Sequence, residues 1–272
     1  MLEIRHLTKQ YGEKTAVEDL TLTIRPGEIF GFIGPNGAGK TTTLKCCCGI
    51  LQPDRGEVRV NGCSMRDDPL AAKRQLAYLP DDPALYGYMT GIQYLDFIAD
   101  VFGVREAARA ERVRVYGERF ALTEALGQPI SSYSHGMKQK LAILAALLHA
   151  PKLILMDEPF VGLDPLASHQ LKQTMRAFCD AGGAIFFSTH VLEVAEKLCD
   201  QVAILRQGRL LYALTYSFSY FQSCKREQPH TEHTCYTSEN QKVLCKCDIP
   251  NTFVTEIHHN HKHCCRKAAD KA

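Results

Sequence analysis

No stretch of the 272-residue sequence stays apolar long enough to cross a bilayer, which takes about 20 residues. The longest apolar run, residues 141–148, ends at His149. The start, Met1-Leu2-Glu3-Ile4-Arg5-His6, lacks the basic-then-apolar layout of a signal peptide, so the main body is expected in the cytoplasm. There is no charge excess either: a net charge of +2 argues neither for nor against a nucleic-acid partner. No internal repeat is visible. Cysteine, by contrast, is plentiful, with twelve residues unevenly placed. Cys46, Cys47, Cys48, Cys63, Cys179 and Cys199 read as small apolar fillers of a reduced protein. Cys46-Cys47-Cys48 points in three directions on one helix, which excludes a shared metal site. The other six lie in the last sixty residues.

What is present suits a globular chain, with 45% hydrophobic and 23% charged residues and length enough for one large domain or two modest ones. Residues 1–25 alternate apolar and polar (Leu2, Ile4, then Ala16-Val17, Leu20, Leu22, Ile24), as an antiparallel sheet requires. Val58-Arg59-Val60 followed by Asn61-Gly62 reads as a strand and a hairpin turn. Residues 92–126 turn helical, with Tyr94, Phe97, Ile98 and Val101 on one face, and residues 136–149 form an apolar helix. Leu153-Ile154-Leu155-Met156 and Ala184-Ile185-Phe186-Phe187 read as fully buried parallel strands. Val202-Ala203-Ile204-Leu205 with Gln207-Gly208-Arg209 reads as a strand and its turn. Alternating strands and helices imply a parallel α/β core, with the helical run 88–131 inserted into it.

Gly34-Pro35-Asn36-Gly37-Ala38-Gly39-Lys40-Thr41 fits G-x-x-x-x-G-K-[ST], the phosphate-binding loop. Its glycines let successive backbone N–H groups face one anion, and the helix expected from Thr42 onward adds its positive dipole end. Lys40 can reach the outer phosphates and the Thr41 hydroxyl can ligate Mg²⁺. Ile29-Phe30-Gly31-Phe32-Ile33 just before it reads as a buried strand. A nucleoside triphosphate is therefore the expected ligand.

Asp157-Glu158 places two carboxylates at the carboxyl end of a buried strand, where ligands bind in open α/β sheets. Asp157 suits the Mg²⁺ shell, and Glu158 is placed to take a proton from a water attacking the γ-phosphate. Ser134-His135-Gly136 opens a helix with an N-cap serine and makes a second anion site, suited to a nucleotide held by another copy of the protein.

With these residues together, the sequence resembles the nucleotide-binding subunit of ATP-binding-cassette transporters over about residues 1–212. Tyr133-Ser134-His135-Gly136-Met137-Lys138-Gln139 resembles that family's signature, usually LSGGQ and two polar residues. His135 and Met137 depart from it in a way common in the branch serving separate, exporter-type permeases. Residues 82–90 resemble the same branch. Gly162-Leu163-Asp164-Pro165 matches the D-loop and Ser188-Thr189-His190 the switch histidine. Tyr11 sits where the family keeps an aromatic that stacks on adenine. Asp81 stands where the family has a glutamine that touches Mg²⁺. A carboxylate can still ligate the ion but cannot donate a hydrogen bond as an amide does.

The resemblance implies a P-loop NTPase of RecA-like α/β core, with an antiparallel β subdomain and an inserted helical subdomain near residues 82–135. It implies ATP and Mg²⁺ as cofactors and ATP hydrolysis as the activity. The implied catalytic residues are Lys40, Glu158 and His190, and the implied metal ligands Thr41, Asp81 and Asp157. The implied nucleotide contacts are Tyr11, residues 34–41, Thr42, Ser134 and Gly136. Two copies, or one copy and a homologue, are expected to sandwich two ATP molecules on the inner face of the cell membrane, driving a separately encoded permease of exporter type. No nucleic-acid partner is expected. The competing readings are a soluble cassette ATPase and a subunit made inactive by an altered C-terminus.

Beyond Tyr212 the character changes. Residues 213–272 hold six of the eleven histidines and little periodicity. They read as a foreign or frameshifted end, as a genuine accessory segment, or as a small metal site built on Cys245, Cys247, His259 and His263.

Overall fold

Strands β1 (Leu2–Tyr11) and β2 (Lys14–Ile24) pair antiparallel and bury Leu2, Ile4, Leu7, Leu20, Leu22 and Ile24. The apolar alternation slips at one place in each strand. There His6 (φ 52°) and Asp19 (φ 47°) are both left-handed, the register shifts, and His6 Nδ1 lies 2.8 Å from Asp19 Oδ1. Such bulges let Leu7 return to the buried face three residues after Ile4. Strands β3 (Ile29–Ile33), β4 (Arg55–Val60) and β5 (Cys63–Ser64) follow, and the first sheet has the order β2-β1-β4-β5. The Asn61-Gly62 turn between β4 and β5 has positive φ at both residues, as a type I′ hairpin demands. The computed structural model describes residues 1–215 and, further along, two short paired strands at 234–236 and 242–244.

The second sheet is the larger. It adds β6 (Leu76–Leu79), β7 (Leu153–Asp157), β8 (Ala184–Thr189), β9 (Gln201–Arg206) and β10 (Arg209–Thr215) in the order β10-β9-β3-β8-β7-β6. All its neighbours run parallel except the β9–β10 hairpin. Every residue of β3, β7 and β8 is buried, which is why they read as continuous apolar runs rather than alternating ones. Between the sheets, Phe186 meets Phe30 edge-on at 5.7 Å and Phe32 at 5.2 Å. Helix α1 (Lys40–Cys47) lies in the same layer. It opens two residues before Thr42 and ends at Cys47.

Five of the six cysteines in residues 1–215 are buried, and all six are free thiols. Burial pushes the Cys46 thiol up to about 11 and Cys179 up to about 12. They are fillers, as the sequence suggests, and the three directions taken by Cys46, Cys47 and Cys48 all end in the core. Cys245, Cys247, His259 and His263 lie outside the described residues.

Helices α2 (Pro69–Arg74), α3 (Gly91–Val101), α4 (Glu106–Arg119), α5 (His135–Leu148), α6 (Pro165–Asp180) and α7 (Leu192–Leu198) complete the main body. The helical stretch expected over 92–126 is two helices, split near Gly103 (φ 66°). The apolar face expected on it is only partly covered, with Tyr94 and Ile98 partly buried. Gly91, Leu95 and Ala99 are buried in α3, whereas Phe97 and Val101 are exposed. Gly91 lets α3 press against the Tyr133 hydroxyl, and Leu95 and Ala99 fill the interior behind it. Helix α5 is apolar on most of its girth because it belongs to two cores. Leu141, Leu144, Ala145 and Leu148 pack with α3 and residues 122–130, while Ala142, Ile143, Ala146 and Leu147 pack under the large sheet.

Strand β10 runs three residues past Tyr212, pairing Ala213, Leu214 and Thr215 with Ala203, Val202 and Gln201. A chain ending at Tyr212 is expected to melt several degrees below one ending at Thr215, since each lost ladder bond is worth about 1 kcal/mol. Thermal unfolding of the two truncations followed by circular dichroism measures this.

Candidate functional site

The loop 34–39 is shaped by close backbone approaches. A Cβ on Gly34 would collide with the Leu205 carbonyl, and one on Gly39 (φ 108°) with the Ala16 carbonyl. Gly37 (φ 77°) also adopts a left-handed conformation. Behind the loop, Gly208 N donates to Ala38 O at 2.9 Å and Glu18 N donates to Gly208 O at 2.8 Å. The β9–β10 turn thus braces the loop against β2. Gly39 caps α1 with no side-chain hydrogen bond, leaving the first backbone N–H groups of the helix for an anion.

Lys40 is buried and its Nζ donates to Gly34 O at 2.6 Å. Glu158 follows the last residue of β7 in a left-handed conformation (φ 47°), uncommon for a non-glycine and a form of strain found at functional sites. Its Oε1 lies 3.7 Å from Lys40 Nζ and 3.0 Å from His190 Nδ1. Asp157 is 3% exposed and accepts a short hydrogen bond from Ser188 Oγ. Ser188 Oγ also accepts from Glu158 N at 3.2 Å. One serine hydroxyl therefore fixes both carboxylate residues. Ser188 lies in the switch motif, but nothing in the sequence marks it as the residue that holds them; the register Asp157↔Ser188 between β7 and β8 does.

A cavity of about 280 Å³ gathers these groups. It is lined by Tyr11, Pro35, Asn36, Gly37, Ala38, Gly39, Lys40, Thr41, Thr42, Asp81, Asp157 and Glu158, together with Lys14 and Ala16, which sequence reasoning missed. Tyr11 ends β1 half-exposed, with Lys9 Nζ 5.8 Å from its ring centroid, free to offer its face to a flat ligand. Asp81 has its carboxyl held above its ordinary value, first by burial and then by the charges of Asp157 and Glu158. His190 touches the cavity through Glu158 rather than lining it. Gly34 sits at the base of the loop, its carbonyl taken by Lys40.

Ser134 and Gly136 lie elsewhere. Ser134 caps α5, accepting from Met137 N at 3.2 Å, and Gly136 packs against Gly162. Neither lines the cavity of its own chain.

A model of the ABC transporter family matches residues 17–161. The chain belongs to the ABC transporter family. It is 34% identical over 211 residues, 78% of its length, to the linearmycin resistance ATP-binding protein of Bacillus subtilis. It is 33% identical over 229 residues, 84% of its length, to a probable multidrug ABC transporter ATP-binding protein of Escherichia coli. The chain spans 68% of the first relative and 39% of the second. A solved ATP-binding subunit of an ABC transporter matches with a TM-score of 0.77 at 38% identity, over 82% of this chain and 93% of that one. The P-loop NTPase fold is thereby established, and within the family this ABC chain is an ATP-binding ATPase.

Ser188→Ala is expected to lower ATP turnover by about tenfold or more through misplaced Asp157 and Glu158, as loss of an orienting hydrogen bond commonly does. Steady-state turnover beside a nucleotide-binding titration checks this, with binding expected to change far less than turnover.

Proposed function

We propose that this ABC chain drives export through a separate membrane permease, by closing as a two-subunit sandwich around two ATP molecules and reopening after hydrolysis. The observation that carries the reading is the Glu158 carboxylate, held beside Lys40 and His190 at the mouth of the phosphate-loop cavity. In this reading Tyr11 stacks on the adenine and residues 34–42 bind the phosphates. Lys40 moves its ammonium from the Gly34 carbonyl to the outer phosphates. Glu158 accepts the proton of the attacking water. His190, hydrogen-bonded to Glu158, keeps that carboxylate aimed and faces the γ-phosphate. Ser134 and Gly136 close on the nucleotide held by the opposite subunit, which accounts for their absence from this chain's own cavity.

The donor set suits Mg²⁺. The Thr41 hydroxyl and the Asp157 carboxylate are hard oxygen ligands at the cavity, with Asp81 as a third. Among the described residues no group of three or more His, Cys, Asp and Glu side chains makes a protein-only metal site, so phosphate and water oxygens have to complete the shell. When bound, Mg²⁺ would offset the negative charge of the β- and γ-phosphates.

Export is supported by the likeness to resistance and multidrug ATP-binding proteins. A permease partner is supported by the surface of the helical insertion. Tyr86, Tyr88, Phe97, Val101 and Phe102 are exposed, and the Tyr86 ring lies within about 6 Å of Tyr88, Tyr94 and Phe97. No helix among the described residues is long and apolar enough to cross a membrane, which suits a subunit that is peripheral on the inner face of the membrane. ATP binding favours the closed pair, and hydrolysis removes that preference.

Glu158→Gln is expected to keep ATP binding, lose about 10²–10⁴-fold in turnover and accumulate an ATP-dependent dimer. Unchanged turnover in that variant, read with light scattering, would sink the assignment of the base. Tyr88→Ser should leave turnover of the isolated subunit intact and weaken its co-purification with the permease from membranes. Equal recovery would remove the aromatic patch as the docking face.

A further inference from the structure

Strand β1 loses its pairing with β4 before it reaches the nucleotide cavity. The last matched pair is Thr8↔Arg55, and Asp54 N donates to Thr8 O at 2.9 Å beside it. From there the Asp54 side chain takes over from the ladder. Its Oδ2 accepts from Gln10 N at 2.6 Å and its Oδ1 from Lys9 Nζ at 3.0 Å. These bonds hold the Asp54 carboxyl below its ordinary value, the Gln10 N–H first and the Lys9 ammonium second. One carboxylate thus fixes two successive residues of β1, immediately before Tyr11.

Tyr11 needs such a fixture. It pairs with Lys14 across the turn Gly12-Glu13, and all four residues are exposed, so no packed core holds the ring. Lys9, two residues back, stands over that ring with Nζ 5.8 Å from its centroid, within the range of a cation–π contact. The Lys9 side chain is only 15% exposed. Its ammonium is therefore largely withdrawn from water, between the carboxylate and the ring.

Asp54 is tied to the phosphate end as well. Helix α1, whose first N–H groups face the phosphate loop, is closed at its far end, where Ile50 N and Leu51 N both donate to Lys45 O at 2.9 and 3.0 Å. Only Gln52 and Pro53 separate that closure from Asp54. The charges of Lys9 and Asp54 both reach the Cys46 thiol in the last turn of α1, which sets the pair close to that helix. One short helix therefore runs from the phosphate loop to the residue that fixes the Tyr11 strand.

We propose that Asp54 and Lys9 are positioning residues for base recognition, holding the Tyr11 ring at a set place relative to the phosphate loop, with the ammonium over one face and the other face left to the base. This rests on the reading of Tyr11 as the residue that stacks on adenine. Neither Asp54 nor Lys9 lines the nucleotide cavity, so both act through Tyr11. The pair therefore contributes to the share of affinity that depends on the base and not to the share that depends on the phosphates.

The test compares ATP with inorganic triphosphate, both as Mg²⁺ complexes, by calorimetry on the full chain. Lys9→Met should weaken ATP about threefold to tenfold and leave triphosphate within about twofold. Lys9→Arg, which can pair with the carboxylate and stack on the ring, should restore ATP binding. Asp54→Ala should match Lys9→Met; if it binds neither ligand, the Lys9 variants decide alone. The chain has no tryptophan, so Tyr11→Trp places a single reporter at the base site. ATP should quench that reporter and triphosphate should not, and adding Lys9→Met should cut the quench at saturating ATP by about half or more. Equal losses for ATP and triphosphate in Lys9→Met would overturn the proposal, because the pair would then support the fold and not the ring. Unchanged ATP affinity with an unchanged quench would overturn it too. Tyr11→Ser separates the underlying reading. If that variant keeps the preference for ATP over triphosphate, adenine stacking on Tyr11 falls and the proposal with it. If it removes the preference while Lys9→Met does not reduce it, only the brace falls.

Discussion

The close approach of two carbonyls, Leu205 O over Gly34 and Ala16 O over Gly39, is the constraint on which the site depends. Those carbonyls belong to different sheets, so the loop between Ile33 and Lys40 is shaped by both layers at once. Its curvature presents backbone N–H groups to an anion and directs α1 into the space between the sheets. A side chain at either glycine would force the layers apart or the loop open. The Gly208 hydrogen bonds to Ala38 and Glu18, with the two-pronged Arg209–Glu18 pair beside them, hold the same three elements from behind. Arg209 is mostly exposed and Glu18 partly so, and their pairing fixes position more than it stabilises.

From that fixed loop the chemistry is assembled by strand register. Strand β7 ends in Asp157, with Glu158 next, and β8, which lies between β7 and β3, brings Ser188 and then His190 alongside. Parallel strands deliver all these groups at one edge, the carboxyl ends, and an open sheet of this kind forms its cleft there. The strained backbone at Glu158 tilts its carboxylate toward Lys40 and His190 while Asp157 stays under the sheet with Ser188.

Much of this was legible in the residue order. Buried parallel strands announced themselves because both their faces are covered, and the phosphate loop because its glycines have no substitute. Contact partners were not legible. Ser188 was legible only as part of the switch motif, and its hold on Asp157 and Glu158 exists only through inter-strand register. The burial of α3 was not legible, because periodicity marks an apolar stripe without saying which of its residues face inward. Phe97 and Val101 stay exposed, Tyr94 and Ile98 are partly buried, and the interior is taken by Gly91, Leu95 and Ala99, with Gly91 letting the helix close on Tyr133 and Leu126. The bulges at His6 and Asp19 were hidden because these residue types, though enriched among left-handed non-glycine residues, mostly adopt other conformations.

Helix α5 is shared by two cores, and that gives the main body an uneven resistance to opening. The contacts of α3, α4 and the 122–130 turns with Leu141, Leu144 and Leu148 form a cluster of their own, joined to the sheet chiefly through α5 itself. Such a cluster is a natural unit of sub-global unfolding, able to peel away while the sheet side of α5 stays packed. Three leucines and an alanine would then face water along one helix, a sticky stripe on an otherwise folded ATPase. Synthesis meets the same situation in reverse. The insertion leaves the ribosome before α5 and has no wall to fold against until that helix arrives, so it is the segment of this chain most exposed to misassociation while the protein is being made.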